Sequence, residues 1–355
     1  GALSNSLSGA GETDIAQNSD VVLLGDNSDF AGKFSVENAS TLTASAPSSL
    51  GSADIANEGL LNLASSDSWL LNNTITGSGQ LNQNGSGVVT LSQQAAQYSG
   101  DTQVNAGGLQ LGSSGNDVTL SSGNLNIAKG AVAGGFGGTA GNVNNSGTLQ
   151  LGSLNPVSVK ATADAVRFNV GGNLVNSGDI IVGGAGAAAG NQLHIAGNYS
   201  GNNGHITLNT ALGDDNSVTD KMIVAGDTSG TTSVSVNNAG GSGAKTINGI
   251  EIINVGGKSD GEFVKDGRIV AGAYVYNLVR GESSNSNNWY LTNVLGGVVD
   301  PGDGGDNGDK DDIIKIYRPE SAAYSANMAA ANKLFNTRLH DRLGETHYVD
   351  ALTGE

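Results

Sequence analysis

Histidines and nucleophile motifs are the first residues in this sequence that could perform chemistry, and their spacing argues against it. His194 and His205 are the histidines that precede the C-terminal forty residues, and their separation matches no metal-ligand pattern. The stretch "GDTSG", which begins at Gly226, lacks the G-x-S-x-G pattern of a nucleophile elbow. We therefore predict solvated strand, loop and turn positions for these residues, with no catalytic or metal role.

Two glycine-rich stretches match nucleotide-binding loops only in part. Gly257, Lys258 and Ser259 supply the end of a phosphate-binding loop, but Ile252 stands where its first glycine belongs. The stretch "GAGAAAG" from Gly184 fits a dinucleotide-binding pattern, yet no amphipathic helix follows it. The second stretch is interpreted as a turn of small residues, and no cofactor is predicted.

Carboxylates could serve a glycosidase or a Ca²⁺ site. A glycosidase needs two carboxylates on one face, roughly 5 to 9 Å apart. Stacked strands could bring Asp54 and Asp67 together in this way, but nothing distinguishes that pair. The aspartates at 300, 303, 306, 309, 311 and 312 lack the EF-hand pattern, so they favour a solvated spacer. The sequence predicts a protein that is not an enzyme.

The charge balance excludes further functions. The chain has 33 acidic and 16 basic residues, and before Lys160 the basic residues are Lys33 and Lys129. Nucleic acid requires a basic track to neutralise its phosphates, and a lyase that acts on acidic polysaccharides requires Arg or Lys beside its substrate. The composition therefore argues against both.

Export features are few. The chain has no cysteine, which suits a large protein that crosses a membrane unfolded. The start, "GALSNSLSGAGETD", lacks the basic and apolar regions of a signal peptide, and no run of about 18 apolar residues could form a spanning helix.

A short repeated motif indicates the architecture. The sequence "LQLGS" occurs at 109–113 and again at 149–153, and looser copies follow elsewhere. Apolar residues two apart, such as Leu109 and Leu111, point to one face of a strand, and the flanking Gly, Asn and Ser turn the chain. The interval of 40 residues then corresponds to two coils of a solenoid.

A parallel β-helix explains these strands best. Helical periodicity is missing from residues 1–300, which excludes a helical solenoid. A sandwich or propeller remains possible from strand density, but long aromatic-rich strands and tight Asn-Gly hairpins are lacking. We predict an all-β solenoid through residues 1–190, with short stacked strands around a narrow apolar interior.

Longer strands and aromatic residues mark a predicted β cap at 191–298. "GRIVAGAYVYNLVRG" and "NWYLTNV" are interpreted as two strands joined by a polar turn, because a solenoid must cover its last exposed strand edges. The predicted folding-cap residues are large aromatics, namely Tyr274, Tyr276, Trp289 and Tyr290.

An acidic linker at 299–317 precedes a predicted amphipathic helix in 318–355. Pro319 suits the first turn of that helix. Tyr324, Met328, Phe335 and Leu339 fall on one stripe of it. Its polar residues forbid contact with lipid, so such a helix could cross a membrane only inside a water-filled protein pore.

Two segments carry a family resemblance. "YRPESAAYSANMAAANKLFNTRLHDRLGETHYVDALTGE" at 317–355 resembles the junction of type V autotransporters of the diffuse-adherence adhesin class. "LGDDNSVTDKMIVAGDTSGTTSVSVNNAGG" with "GRIVAGAYVYNLVRG" and "NWYL" is similar to the pertactin-like autochaperone segment. Together these segments cover residues 190–355. The first 190 residues resemble the family only in the general character of a passenger β-helix.

The resemblance implies a right-handed β-helical passenger that is secreted by a Gram-negative bacterium. It also implies an outer-membrane anchor, in which the 318–355 helix threads the protein's own C-terminal β-barrel. We expect that barrel to start within 318–355 and to continue beyond residue 355, and we expect further passenger sequence to precede residue 1.

The predicted function is adhesion: self-association with copies on neighbouring cells, biofilm growth, or attachment to host surface molecules. Many weak polar contacts along a rod can give avidity. The alternative is a β-helical scaffold that presents an upstream enzymatic or toxin domain.

Overall fold

The computed structural model describes residues 1–154 and 164–293, and the regular secondary structure in these ranges is almost entirely β-strand. The predicted acidic linker and C-terminal helix, with Tyr324, Met328, Phe335 and Leu339, lie outside the described residues. The two helices in the described ranges are 3₁₀ turns of three residues each, Gln94–Ala96 and Ser283–Asn285. Neither has the length or apolarity needed to span a bilayer. The all-β prediction is confirmed for the described part of the chain.

Short strands dominate from the N-terminus. Through residue 91 they are β1 (Ala2–Leu3), β2 (Glu12–Ile15), β3 (Asp20–Leu23), β4 (Lys33–Val36), β5 (Thr41–Ala44), β6 (Asp54–Asn57), β7 (Leu60–Leu63), β8 (Trp69–Leu71), β9 (Ile75–Thr76), β10 (Gln80–Gln83) and β11 (Val88–Leu91). From residue 102 to 181 they are β12 (Thr102–Val104), β13 (Gly108–Leu111), β14 (Val118–Leu120), β15 (Asn124–Ile127), β16 (Val132–Gly135), β17 (Gly137–Thr139), β18 (Asn142–Asn145), β19 (Thr148–Leu151), β20 (Arg167–Val170), β21 (Leu174–Asn176) and β22 (Asp179–Ile181).

Longer strands appear after residue 190. The remaining strands are β23 (Gln192–Ile195), β24 (Tyr199–Thr210), β25 (Lys221–Val224), β26 (Thr228–Asn238), β27 (Ile250–Val255), β28 (Glu262–Lys265), β29 (Ile269–Ala271), β30 (Tyr274–Arg280) and β31 (Trp289–Thr292). The 12 residues of β24 and the 11 of β26 agree with the longer strands predicted for residues 191–298.

The strands stack in three parallel sheets that the chain visits in turn, and one such passage is called a coil below. The first sheet runs from β1 and β3 through β5, β7, β10, β12, β15, β18 and β21 to β24 and β26. The second runs from β8 through β11, β13, β16, β19 and β22 to β24, β26 and β28. The third is interrupted: β2, β4, β6 and β9 form one stack, and β14, β17, β20, β23, β25 and β27 form a second stack beyond the 3₁₀ turn Gln94–Ala96.

Alternating side chains fill the interior between these sheets. In β5, β7 and β10, Leu42, Leu61 and Leu81 pair across successive coils, and each has no exposed surface. The residues between them face outward, as expected for a side-chain period of two. The narrow apolar interior predicted from the sequence therefore exists.

The two copies of "LQLGS" lie two coils apart, as predicted. Leu109 of β13 pairs with Ala133 of β16, and Ala133 pairs in turn with Leu149 of β19. After the second copy the chain folds back over the first. The Leu154 amide donates to Gln110 Oε1 at 2.9 Å. As a result Gln110, an outward position, is only 6 % exposed.

The end of the structure departs from parallel stacking. β31 pairs antiparallel with β27, β30 with β31, and β29 with β30. The interpretation of "GRIVAGAYVYNLVRG" as one strand is wrong, because β29 and β30 form a hairpin within it. Gly272, with a φ of +53° that favours glycine, allows this reversal.

Candidate functional site at the closing strands

β29, β30 and β31, called the closing strands below, cover an end of the third sheet. β31 pairs with β27 over Ile250–Ile253, so the last parallel strand of that sheet receives an antiparallel partner. An unpaired strand edge would offer a template for further strands, and an added hairpin removes it.

An aromatic stack ties the closing strands to the coils. Tyr199 of β24 stacks on Phe263 of β28 with ring centroids 6.0 Å apart. Phe263 meets the Trp289 ring of β31 edge-on at 5.5 Å. All three side chains are at most 5 % exposed, so the contact is dry. Pairs of this kind add stabilisation beyond the apolar area that they bury.

Arg280 connects the end of β30 to the loop that precedes β28. Its guanidinium lies over the Trp289 ring, and its Nη1 donates to Ser259 O at 2.7 Å. Its Nη2 donates to Gly261 O and also contacts Glu262 Oε1, both at 3.0 Å. The planar fork of an arginine, unlike a lysine, can make all these contacts together.

Three of the four predicted folding-cap aromatics are buried. Tyr276, Trp289 and Tyr290 are 0 %, 5 % and 6 % exposed, and Tyr274 packs against the core while partly buried. Burial raises the pKa of the Tyr276 phenol. Their role in folding stays a prediction.

Hydrogen bonds fix these phenols. Tyr276 OH donates to Gly213 O at 2.7 Å and accepts from the Ala244 amide at 3.2 Å. Tyr290 OH donates to Glu251 Oε2 at 3.3 Å, while Glu251 Oε1 lies 3.6 Å from Lys221 Nζ. The closing strands are thus anchored to the loops of earlier coils as well as to β27.

Sequence reasoning missed three contributors to this site: Tyr199, Phe263 and Arg280. Nothing in the spacing joins Tyr199 to Trp289, since the two residues lie ninety positions apart and meet only through Phe263. The position of Arg280, at the end of an aromatic strand and before a glycine, was the one available signal.

The other candidates for chemistry occupy ordinary strand and turn positions. His194 lies on β23 and His205 on β24, and Lys258 follows a turn in which its amide donates to Asp227 Oδ1. Asp54 and Asp67 are exposed, at the start of β6 and in the turn before β8. In residues 1–154 and 164–293, no group of three or more His, Asp or Glu side chains is placed to hold a metal ion.

Asp220 is a buried carboxylate that the sequence did not single out. Its oxygens accept hydrogen bonds from the amides of Gly190, Asn191 and Asn209 and from the Asn191 side chain, at 2.7 to 2.9 Å. Burial raises its pKa, although these donors act in the opposite direction. The carboxylate joins two loops that project from adjacent coils, which is a structural role.

Comparison with known families identifies the C-terminal coils. Residues 168–278 match the model of the Autochaperone Domain Type 1. This range begins before the predicted cap boundary at residue 191 and ends within β30.

Known proteins match over longer ranges. The uncharacterized protein YuaQ of Escherichia coli K12 is 44 % identical over 88 % of this chain and 20 % of its own length. The uncharacterized protein YdeU of the same strain is 51 % identical over 47 % of this chain and 37 % of its own length. The autotransporter adhesin AIDA-I of Escherichia coli is 42 % identical over 44 % of this chain and 11 % of its own length. The chain thus spans well under half of each relative.

The match to the Autochaperone Domain Type 1 and the similarity to autotransporter adhesins support a type V autotransporter passenger.

Proposed function

We propose that this chain is the C-terminal part of an adhesin-type passenger that folds as a right-handed parallel β-helix at the surface of a Gram-negative bacterium. Its own C-terminal outer-membrane β-barrel anchors it. Residues 168–293 promote the folding of the coils upstream, and the outer faces of those coils make adhesive contacts. The match to an autochaperone domain and the adhesin name carried by AIDA-I support this assignment.

The folding role rests on the stack Tyr199–Phe263–Trp289–Arg280. This stack joins β24, β28 and the closing strands into one buried unit. The upstream coils are filled mainly by Leu, Val and Ala, with isolated rings and the Phe30–Phe34 pair among them. Because large aromatic rings bury more apolar area per residue, the C-terminal unit can become stable first and offer its strands to the next coil.

A matched pair of phenylalanine substitutions tests the folding role. Phe263→Leu removes the central ring of the stack, and Phe34→Leu removes an equally buried ring from an early coil. Each change should lower the free energy of unfolding by about 1–2 kcal/mol. If the C-terminal unit folds first, Phe263→Leu slows refolding, while Phe34→Leu mainly accelerates unfolding. The reverse assignment of the two effects would overturn the proposed order.

The adhesive role rests on an outward row of the first sheet. Successive coils place neutral polar side chains along this row: Thr43, Asn62, Asn82, Gln103, Asn126 and Asn144. Some of them bond along the row, as when Asn144 Nδ2 donates to Asn126 Oδ1 at 2.8 Å. The chain carries a net charge of −17, so a neutral row is where two copies can approach without strong repulsion.

Cells that display the passenger with its barrel provide the test. Asn62→Asp, Asn82→Asp and Asn126→Asp together place charge on the row and should abolish clumping and host-surface attachment. Thr119→Asp with Asn169→Asp, at exposed positions of the third sheet, is the control and should leave both intact. Equal clumping by the two variants would remove adhesion from this face, and a parent that neither clumps nor attaches would favour the scaffold alternative.

A further inference from the structure

A chain of hydrogen bonds runs through the interior where β24, β28 and the closing strands, together called the closing unit, meet the coils upstream. Its members come from four successive coils and expose at most 2 % of their surface: Asn145 on β18, Asn176 on β21, Tyr199 on β24 and Thr232 on β26. Buried polar groups can specify a structure when they are paired with each other, and of this group only Asn145 Oδ1 has no hydrogen-bond partner within the described residues.

The pairing is directional. Asn145 Nδ2 lies 2.9 Å from Asn176 Oδ1, and Asn176 Nδ2 donates to Tyr199 OH at 3.4 Å. Tyr199 OH lies 2.7 Å from Thr232 Oγ1. Asn145 Nδ2 also donates to Asp179 O at 2.8 Å, so the chain also fixes the main chain of the next coil.

Two glycines make room for these contacts. A Cβ at Gly201 would lie 2.4 Å from Thr232 Oγ1, and a Cβ at Gly204 would lie 2.4 Å from Asn176 Nδ2. Any other residue at either position would push apart the groups that the hydrogen bonds join. The local sequence is therefore fitted to the polar chain.

The comparable buried chain upstream is shorter, since Tyr98 OH bonds Thr102 Oγ1 and Thr102 Oγ1 bonds Ser122 Oγ. The interior row that leads to it is aliphatic over three coils. Leu61 faces Leu42 on one side and Leu81 on the other, so a slip of one whole coil would again place Leu on Leu. In the neighbouring interior row, Asn145 lies against Ile127. A slip there would bury unpaired amides and a phenol, which is costly.

We propose that Asn145, Asn176, Tyr199 and Thr232 form a register key, which fixes the coil that docks on the closing unit at the expense of some stability. The key deepens the folding role proposed above. Its test reports strand register, whereas the phenylalanine pair reports folding order, so the two proposals can fail separately.

An engineered cysteine pair can report the register. Asn144 and Val175 are Cα partners on β18 and β21, both are exposed, and the chain has no native cysteine. Asn144→Cys with Val175→Cys should form a disulfide after oxidative refolding only in the native register, because a slipped pair lies too far apart to bridge.

The key variant adds Asn145→Val and Asn176→Val to this reporter chain. The control adds Asn62→Val and Asn82→Val, two outward amides of the same sheet. We expect the key variant to keep or gain thermal stability while its disulfide yield falls several-fold below that of the control. A disulfide yield equal to that of the control overturns the proposal. If thermal stability falls while the yield stays unchanged, the network is purely structural.

A gentler change covers a key variant that does not fold. Tyr199→Phe keeps the ring on Phe263 and removes only the hydroxyl that links Asn176 to Thr232. The reporter chain that carries Tyr199→Phe should give a disulfide yield lower than that of the reporter chain alone and higher than that of the key variant. A yield equal to that of the reporter chain overturns the proposal.

Discussion

The guanidinium of Arg280 lies over the indole of Trp289, with Cζ 4.6 Å from the ring centroid. The same side chain donates to the carbonyls of Ser259 and Gly261, which precede the last parallel strand β28. One residue thus holds the ring of β31, the end of β30 and the entry to β28 together. Arg280 therefore connects the last parallel strand, β28, to the antiparallel closing strands.

Replacing Arg280 should therefore loosen the closing strands. Arg280→Ala removes the cation–π contact and the carbonyl hydrogen bonds, and should lower the free energy of unfolding by about 2–3 kcal/mol. Arg280→Lys keeps the charge but cannot reach both carbonyls, so it should restore only part of that loss. Denaturant titration that follows tryptophan fluorescence measures both variants. A lysine variant as stable as the parent would show that charge alone matters.

Removing the Tyr276 hydroxyl should weaken the contact between β30 and the loops of earlier coils. In Tyr276→Phe the Gly213 carbonyl and the Ala244 amide lose a partner, which should cost about 1–2 kcal/mol. Tyr98→Phe is the control, because its buried hydroxyl bonds only the Thr102 side chain among the described contacts. We expect protease cleavage within 244–276 to accelerate in the first variant alone. Identical digestion patterns would contradict this expectation.

Acid should destabilise the coil that contains His194. Burial and then the nearby Arg167 guanidinium lower the pKa of His194 in the folded state. Arg167 Nη2 lies 3.2 Å from Nδ1, and the opposite nitrogen faces Gln192 Oε1 at 2.8 Å, so the neutral ring accepts from arginine and donates to glutamine. The unfolded chain binds the proton first, and this part of the stability is lost as pH falls from above the ordinary histidine pKa through the folded value.

A substitution of His194 separates its contribution from the rest of the pH dependence of the free energy of unfolding. The free energy of unfolding should drop less between about pH 7.5 and about pH 5 in His194→Gln than in the parent chain. His205→Gln is the control, because His205 lies between Asp179 and Asp266 rather than beside a cation. An unchanged pH dependence in His194→Gln would sink the prediction.

Gly134, in the coil between the two "LQLGS" copies, should not tolerate a side chain. Its φ is +142°, and an added Cβ would lie 1.9 Å from Gln150 O of the next coil. Gly134→Ala should cost about 2–4 kcal/mol. Gly115→Ala shares a positive φ of +79° but meets nothing within 4 Å, so it should cost only about 1 kcal/mol. Thermal unfolding of both variants would show equal losses if the close approach is unimportant.

Much of the fold could be predicted because its units are local. The alternation of Leu149 and Leu151 between glycines predicts a strand, and a copy at a multiple of the coil length predicts stacking. Aromatic residues such as Trp289 could be assigned to a terminal cap because they cluster between Phe263 and Tyr290 in the sequence. The hairpin within 269–280 was missed, since Gly272 inside an apolar run signals a turn no more strongly than many other glycines here.

By itself, the sequence determined the β class, the stacked repeats and the aromatic C-terminal region, because a side-chain period of two and a dense set of turn residues act over a few positions. Only the tertiary structure decided which residues meet. Arg280 reaches Ser259 and Trp289, Tyr199 reaches Phe263, and Asn145 reaches Asn176 across coils of unequal length. Loop lengths set the rotation and register of each coil, so contacts between coils depend on the sum of many turns, which no short window of sequence contains.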